Sequence, residues 1–261
     1  MQVYTTETIA RYEHGRENFT QGLVVYDERL TIESTGLYGA SRLIYRSTTD
    51  MSEVAGRPLP RDFFAEGICR GPAGLIVLSW RESVALQWDV ESARVVRTFD
   101  YDRDGWGICY DGAYYITSDG TDRLTFRAPD DMTPVKELSV RLQTRPLAGL
   151  NDLHWSSPGT VWANIDSTDH LAEIDVSTGE IVSLLDGTGL RAAEDPTSDL
   201  MNGVAGQRGR HLLLTGKHWS WIHRVILRPL PLSAAELDSV VAGLPRSISD
   251  LHEMTPREGM A

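Results

Sequence analysis

Five short segments of the chain begin with side chains that can bind and transform a ligand. Their first residues are Gln21 in "QGLVV", Glu66 in "EGICR", Trp106 in "WGICY", Asn151 in "NDLHW" and Asn202 in "NGVAG". A carboxylate carries protons, amides donate and accept hydrogen bonds, and an indole forms the wall of a pocket. The five residues therefore predict a ligand site if the fold brings them together.

A second set of chemically different residues stands about 14 residues further along, at the end of an apolar strand in each repeat. These strands are "LTIEST", "LIVLSW", "YYITSD", "VWANID" and "LLLTGK", which end at Thr35, Trp80, Asp119, Asp166 and Lys217. Repeats that only packed against one another would keep the same residue at such a position. The variation favours a ligand site. The alternative is that Glu66 and Lys217 are solvated strand ends and that the tryptophans pack between repeats.

The spacing of these segments predicts a repeated all-β architecture. The first set recurs at intervals of 40 to 51 residues, and long amphipathic helical patterns are missing from residues 1–227. Third and fourth strands such as "ALQWD" and "RVVRTF" follow in the repeats. A repeat of about 45 residues with four strands is typical of a β-propeller blade. We therefore predict a five-bladed β-propeller over residues 1–227, with the first strand of each blade along the central channel.

The two ends of the chain complete this prediction. The fifth repeat lacks a fourth strand after Leu227, whereas the N-terminal segment "VYTTETIARYE" has no repeat of its own. We therefore predict that the N-terminal strand completes the last blade and so pairs its open edge. Residues 228–261 are a predicted C-terminal extension, with a short helix after the capping-box pair Ser233 and Glu236 and with a polar, mobile end. The extension is expected to cover the side of the propeller or to make a dimer contact.

Composition narrows the classes of partner. A net charge of -12 and a pI near 5.0 disfavour nucleic acid, because a polyanion would be repelled. No apolar run of about 18 residues is present to cross a membrane, and the N-terminal segment does not resemble an export signal. We expect a cytoplasmic monomer or dimer as the sequence stands, or a secreted or periplasmic one if a leader has been removed. Cys69 and Cys109 are expected to be buried thiols.

The motifs resemble those of the plant and bacterial type of glutaminyl cyclase, also called glutamine cyclotransferase. The resemblance runs in order over roughly residues 17–227 and rests on "ENFTQGL", "FFAEGI", "LSW", "DGWGI", "LNDLHW", "VWANI", "MNGVA" and "LLLTGKHW". It implies a five-bladed propeller without catalytic zinc or another cofactor. It also implies a reaction in which an N-terminal glutamine, or free glutamine, becomes pyroglutamate with loss of ammonia.

The same resemblance implies roles for individual residues. The general acid/base falls on Glu66, and the other catalytic positions are Asn151 and Lys217, which with Gln21 are candidates to meet the developing oxyanion. The substrate-binding positions are Phe19, Gln21, Trp80 and Trp106, to which the repeat pattern adds Asp166 and Asn202. The aromatic members would form poorly solvated walls that hold the substrate in a reactive conformation.

One position departs from the family pattern. That pattern predicts a third pocket tryptophan after the second strand of the fourth blade, and this chain has Asp166 there. Asp166 is expected either to hold a cationic group of an unusual substrate or to be solvated at a wider mouth. The alternative function is therefore proton-transfer, amide or cyclisation chemistry on a different, amine-bearing small molecule of a biosynthetic pathway.

Two further alternatives use the same residues differently. A metal-dependent lactonase would hold calcium on oxygen ligands from Glu66, Asn151 and Asn202, but Lys217 would compete with the cation. A binding propeller without catalysis is disfavoured because Glu66 and Lys217 are both present.

Overall fold

The computed structural model describes residues 1–156, 159–207 and 211–254, and strands dominate them. The strands are β1 (Gln2–Glu13), β2 (Thr20–Val25), β3 (Leu30–Thr35), β4 (Arg42–Ser47), β5 (Glu53–Pro58), β6 (Ala65–Gly71), β7 (Gly74–Ser79), β8 (Val84–Asp89), β9 (Arg94–Asp100), β10 (Ile108–Tyr110), β11 (Tyr115–Thr117), β12 (Arg123–Arg127), β13 (Pro134–Ser139), β14 (Arg141–Leu142), β15 (Arg145–Pro146), β16 (Leu150–Ser156), β17 (Thr160–Ile165), β18 (His170–Asp175), β19 (Ile181–Asp186), β20 (Met201–Gln207), β21 (His211–Gly216) and β22 (Trp221–Pro229). The helices are α1 (Thr188–Arg191), α2 (Ala234–Ala242) and α3 (Ile248–Met254).

The long strands form four-stranded units. Units 1, 2 and 3 are the separate sheets β2–β5, β6–β9 and β10–β13, each in chain order. An eight-stranded sheet holds unit 4, which is β16–β19, and unit 5, in the order β20-β21-β22-β1. The N-terminal strand β1 pairs antiparallel with β22, so the prediction that it completes the last unit is confirmed. Units 4 and 5 are joined because residues 2–5 of β1 also pair in parallel with residues 183–186 of β19.

The units close into a ring. Their innermost strands contact one another in cyclic order, β2 with β6, β6 with β10, β10 with β16, β16 with β20 and β20 with β2. A separate hydrophobic cluster lies between each pair of neighbouring units. Between units 1 and 2, for example, Ile32 and Leu43 pack with Leu75 and Val77. The fold is therefore the all-β propeller predicted from the repeats, and its cyclic order is consistent with five blades.

Burial decreases from the inside of units 1, 2 and 3 to the outside. Strands β3 and β7 are buried over nearly their whole length, whereas β5, β9 and β13 are mostly exposed. The sequence matches this gradient, since β7 reads "GLIVLS" and β9 reads "RVVRTFD". Each large aliphatic side chain buried in an inner strand stabilises the fold by about 1.5–3 kcal/mol. The best-packed strands are thus the ones whose ends carry the predicted site residues.

A buried ionic cluster ties the segment after β1 to unit 1. Glu33 on β3 accepts hydrogen bonds from His14 Nε2 at 2.7 Å, Thr20 Oγ1 at 2.7 Å and Arg46 Nε at 2.9 Å. Nδ1 of His14 lies 2.9 Å from the carbonyl oxygen of Trp219, which precedes β22. Burial raises the pKa of Glu33, but the charges of His14 and Arg46 outweigh it and lower this pKa to about 2. The cluster therefore holds unit 1 against unit 5.

Helix α2 of the C-terminal extension packs on the side of the ring. The helix begins at the predicted capping box, in which Ser233 Oγ accepts from the amide of Glu236 and the Glu236 carboxylate accepts from the amide of Ser233. Val241 and Leu244 are buried in the cluster between units 3 and 4. The extension thus covers part of the propeller's side.

The end of the extension reaches unit 4. Leu251 of α3 is buried beside Gly149, and the amide of Ala148 donates to the carbonyl oxygen of Pro245 at 3.1 Å. Residues 255–261 of the predicted mobile end lie outside the described residues.

Both cysteines are buried and unpaired, as predicted. Burial raises the pKa of the Cys69 and Cys109 thiols well above the usual range. None of the helices in the described part of the chain combines the length and the apolar character needed to cross a bilayer.

Asp152 is a buried carboxyl on the innermost strand of unit 4. Its Oδ2 accepts hydrogen bonds from the amides of Val204 at 2.8 Å and Leu23 at 3.3 Å, on the innermost strands of units 5 and 1. Burial raises the pKa of Asp152 from 3.8 to about 8, although these amides act in the opposite direction. The carboxyl is therefore mostly protonated in the folded protein at neutral pH.

We predict that Asp152→Asn stabilises the protein at pH 8 and much less at pH 4. Between pH 3.8 and about 8 the unfolded chain has lost this proton and the folded chain has kept it. The free energy of unfolding therefore falls as the pH rises through that range. Asparagine keeps an acceptor for both amides without this titration. Urea unfolding should show a gain of about 2 kcal/mol or more at pH 8.

The control for this experiment is Asp130→Asn, at an exposed position. A parallel pH dependence of unfolding in wild type and Asp152→Asn would contradict the prediction.

Candidate functional site

The predicted site residues lie where the innermost strands begin. The register between the first and second strand of the unit shifts near the start of β2, β6, β16 and β20. Gln21, Glu66, Asn151 and Asn202 lie in these shifts, and Trp106 stands two residues before β10. A β-bulge bends the strand and re-aims its side chains. The first set of residues is thus presented at the same end of every unit.

Neighbouring innermost strands approach each other very closely beside these residues. A Cβ atom on Gly67 would lie 2.6 Å from the carbonyl oxygen of Trp106, and one on Gly107 would lie 2.0 Å from that of Asn151. Both distances are repulsive, so only glycine fits at these two positions. The amide of Gly67 also donates to the carbonyl oxygen of Trp106 at 2.7 Å.

Hydrogen bonds join every neighbouring pair of units at the level of the site. One of them is the bond from the amide of Gly67 to the carbonyl oxygen of Trp106, which joins units 2 and 3. Each of the others involves a backbone group at or next to a predicted site residue. They run from Ser34 Oγ to the carbonyl oxygen of Glu66 at 2.6 Å, from Ser118 Oγ to that of Asn151 at 2.8 Å, from the amide of Gly203 to Asn164 Oδ1 at 3.3 Å, and from Asn202 Nδ2 to the carbonyl oxygen of Thr20 at 3.2 Å. The backbone of the site is therefore held from all sides.

One pocket collects most of the predicted residues. It has a cavity volume of about 10 Å³ and is lined by Gln21, Phe64, Glu66, Trp80, Trp106, Asn151 and Lys217. Of the predicted set, Phe19, Asp166 and Asn202 are not in this lining, but each contacts a residue that is. This volume is far below the roughly 300–1,000 Å³ of sites for drug-sized ligands and is about that of one water molecule, so these side chains lie close together.

Glu66 is held by a chain of amides. Gln21 Nε2 donates to Glu66 Oε1 at 2.8 Å, and Asn202 Nδ2 donates to Gln21 Oε1 at 3.0 Å. The second bond orients the Gln21 amide so that its NH₂ group faces Glu66. Only 5% of the surface of Glu66 is exposed, so the carboxylate is a fixed acceptor inside the pocket.

Aromatic rings form one wall. The ring centroids of Phe64 and Trp80 are 5.2 Å apart, and those of Phe64 and Phe19 are 6.3 Å apart. Nζ of Lys217 lies 4.8 Å from the centroid of Phe19, so Phe19 supports the lysine rather than lining the pocket. Lys217 is 97% buried, since only 3% of its surface is exposed. A buried ammonium group beside Glu66 is a strong electrostatic feature of this pocket.

Asn151 and Asp166 form a pair at the other side. Asn151 Nδ2 donates to Asp166 Oδ1 at 3.4 Å, and Ser167 Oγ donates to Asp166 Oδ2 at 3.1 Å. Only 3% of Asp166 is exposed, so the alternative that it is solvated at a wide mouth is wrong. Its carboxylate instead lies behind Asn151.

Besides Asp166, two members of the second set do not line the pocket. Asp119 Oδ1 accepts from the amide and hydroxyl of Thr121, and Oδ2 pairs with Arg103 at 3.2 Å. Thr35 Oγ1 faces the carbonyl oxygen of Arg42 at 3.4 Å. Asp119 therefore has the turn role that is common for aspartate.

A family model described as glutamine cyclotransferase matches residues 1–227, which carry all of the residues above. The chain belongs to the glutamine cyclotransferase family. The glutaminyl-peptide cyclotransferase of Arabidopsis thaliana is 28% identical over 228 residues, which are 85% of this chain and 71% of that protein. The crystal structure of Myxococcus xanthus glutaminyl cyclase matches with a TM-score of 0.80 and 30% identity, over 88% of this chain and 99% of that chain.

A more distant structure shares only the fold of this cyclotransferase-family protein. The β-propeller domain of Cps50 (Swd1) from Myceliophteria thermophila matches with a TM-score of 0.52 and 9% identity, over 84% of this chain and 99% of that chain. The resemblance recognised from the motifs is thus confirmed.

Sequence reasoning missed some residues of the cyclotransferase-family site. Phe64 lines the pocket, yet its position in "RDFFAEGI" indicates no more than a buried flank of Glu66. Ser34 and Ser118 hold the site backbone, and their signal is a serine directly before the last residue of the apolar strand in "LTIEST" and "YYITSD".

We predict that Gly107→Ala disrupts both stability and the site. The added methyl group would overlap the carbonyl oxygen of Asn151, so the strand of unit 3 or unit 4 must shift. Overpacking of this kind costs about 1–3 kcal/mol, and with a backbone atom as the neighbour we expect the upper end. Thermal unfolding measures the loss of stability. Turnover should fall as well, because Asn151 moves.

Gly189→Ala is the matched control. A Cβ atom at Gly189 in α1 would have no neighbour within 4 Å, so this variant should unfold close to wild type. Equal thermal stability of the two alanine variants would show that the strands are not tightly packed at Gly107.

Proposed function

We propose that this protein cyclises glutamine at the N-terminus of a peptide, or free glutamine, to pyroglutamate with release of ammonia. The observation that carries the proposal is the buried Glu66 carboxylate, oriented by Gln21, in the same small pocket as Asn151, Lys217 and two indoles. The family membership and the names of the relatives support the same reaction.

The reaction needs a proton carrier between two nitrogen atoms. The α-amine of the substrate attacks the carbon of its own γ-amide, and a carbon–nitrogen bond forms while the carbonyl oxygen becomes negative. Glu66 takes a proton from the attacking nitrogen and gives it to the amide nitrogen, which then leaves as ammonia when the oxygen restores its double bond. One carboxylate is enough, because the proton lost from one nitrogen is the proton gained by the other.

The hydrogen bonds of the pocket divide the remaining roles. The NH₂ group of Gln21 donates to Glu66, and that of Asn151 donates to Asp166. Each of these amides has one of its two hydrogens in use, and we assign to Lys217, the charged donor of the lining, the stabilisation of the negative oxygen in the tetrahedral intermediate. One such donor lowers the barrier by about 3–4 kcal/mol.

The aromatic wall serves the geometry of the reaction. Ring closure is intramolecular, so the protein mainly has to hold the folded conformer of the glutamine side chain. Phe64, Trp80 and Trp106 supply rigid surfaces in the lining of the pocket. These rings also exclude water, which strengthens the interactions of Glu66 and Lys217 with the reacting atoms.

We predict that Glu66→Gln lowers ammonia release from a glutamine-initiated peptide at least about a hundredfold. Glutamine keeps an acceptor for Gln21 and the size of the side chain, but it cannot carry the proton. Ammonia is measured by a coupled assay, and thermal unfolding verifies that the variant is folded. Glu91→Gln, on an exposed glutamate, is the control and should keep wild-type turnover.

Two outcomes would redirect the proposal. Equal turnover of wild type and Glu66→Gln would remove Glu66 from the proton transfer. Absence of ammonia release by wild type from both glutamine peptides and free glutamine would favour the same chemistry on another amine-bearing small molecule. The buried Asp166 near the pocket is the feature that favours this second candidate.

A further inference from the structure

The amide of Asn151 has a defined orientation. The Asp166 carboxylate is an acceptor when ionised, so the atom of Asn151 that faces it at 3.4 Å is the nitrogen. Oδ1 of Asn151 then points the other way. This oxygen is buried and has no hydrogen-bond partner within residues 1–156, 159–207 and 211–254. Because Asn151 lines the pocket, its carbonyl oxygen is a buried acceptor that a ligand can satisfy.

Asp166 is itself fixed in place. Ser167 Oγ donates to its second carboxylate oxygen, and its backbone amide donates to the carbonyl oxygen of Gly149 at 2.7 Å. Gly149 is in turn covered by Leu251 of α3. The backbone of Asp166 is therefore held, and a carboxylate that turned away from Asn151 would also lose the hydrogen bond from Ser167.

We propose that Asp166 is a positioning residue that makes Asn151 a hydrogen-bond acceptor toward the substrate. The inference rests on the proposed function and specifies its substrate. An acceptor at this position binds an N–H group of the primary amide in the glutamine side chain. It repels the side-chain carboxylate of glutamate, which has the same shape but only acceptor oxygens. The Asp166–Asn151 pair thus selects glutamine over glutamate at the N-terminus of the substrate.

The test uses two peptides that differ only in an N-terminal glutamine or glutamate. Turnover is measured on the glutamine peptide, and binding of the glutamate peptide is measured as inhibition and by quenching of tryptophan fluorescence, since Trp80 and Trp106 line the pocket. The variant is Asp166→Asn, whose amide allows Asn151 to turn its NH₂ group to the ligand. The matched control is Asp119→Asn, at the equivalent repeat position but bound in a turn.

Asp166→Asn should lower kcat/KM for the glutamine peptide about twofold to tenfold, the effect of losing one hydrogen bond between neutral groups. The same variant should bind the glutamate peptide about tenfold more tightly than wild type does. The two effects have opposite signs, whereas a variant with a damaged fold would lose both turnover of the glutamine peptide and binding of the glutamate peptide. Asp119→Asn should change neither value.

The exchanged pair Asn151→Asp with Asp166→Asn adds a second test on binding alone. Residue 151 is then an acceptor in either orientation, so the glutamate peptide should again be rejected as by wild type. Ser167→Ala keeps the carboxylate and loosens it, so it should shift binding in the direction of Asp166→Asn by a smaller factor.

The inference is overturned if Asp166→Asn weakens or leaves unchanged the binding of the glutamate peptide. It is also overturned if the wild type binds both peptides equally, or neither of them. If the wild type binds the glutamine peptide more tightly than the glutamate peptide but releases no ammonia, the proposed function is contradicted and the selection by Asp166 is supported.

Discussion

The structure depends on how closely the innermost strands of neighbouring units approach each other. At Gly67 and Gly107 there is no room for a methyl group between one strand and the backbone of the next. This distance allows the amide of Gly67 to bond directly to the carbonyl oxygen of Trp106. It also sets the width of the ring, and with it the distance across which side chains from different units must meet. A narrow pocket results because the strand starts of different units share one small space.

The site is built from polar groups that are already paired with each other, and this pairing decides what remains for a ligand. Gln21 is oriented by Asn202 and bonds to Glu66, while Asn151 bonds to Asp166. Buried amides in such networks cannot turn freely, because each rotation would leave a buried donor or acceptor without a partner. The pocket therefore presents a fixed pattern that a flexible set of the same side chains would lack. Phe19 contributes in the same way, since it supports Lys217 from behind.

Much of the fold and part of the site follow from the sequence. The repeat positions identify the strand starts, and the ring then brings Gln21, Glu66, Trp106 and Asn151 together. Periodicity cannot tell which way a residue next to a bulge points, so it does not separate Lys217 from Asp119, although both end the same strand of their units. It also places Phe64 among the core residues, because an aromatic side chain beside a strand has the same pattern whether it faces a core or a pocket. The partners of amides depend on rotamers, which a spacing does not encode.

Unit 4 shows how neighbouring residues divide stability and function. Glycine follows the site residue in the other units, at Gly22, Gly67, Gly107 and Gly203, but Asp152 follows Asn151. A strand alternates its sides, so Asn151 faces the pocket while Asp152 is buried against units 5 and 1. In unit 4 the carboxyl of Asp152 makes the contact between units that glycines make elsewhere by close approach. Because it is buried there, this carboxyl keeps a proton near neutral pH. The same unit carries Asp166, which departs from the family pattern. Of these two aspartates, Asp152 thus contributes to the packing of the ring, and Asp166 sets the orientation of the Asn151 amide in the pocket.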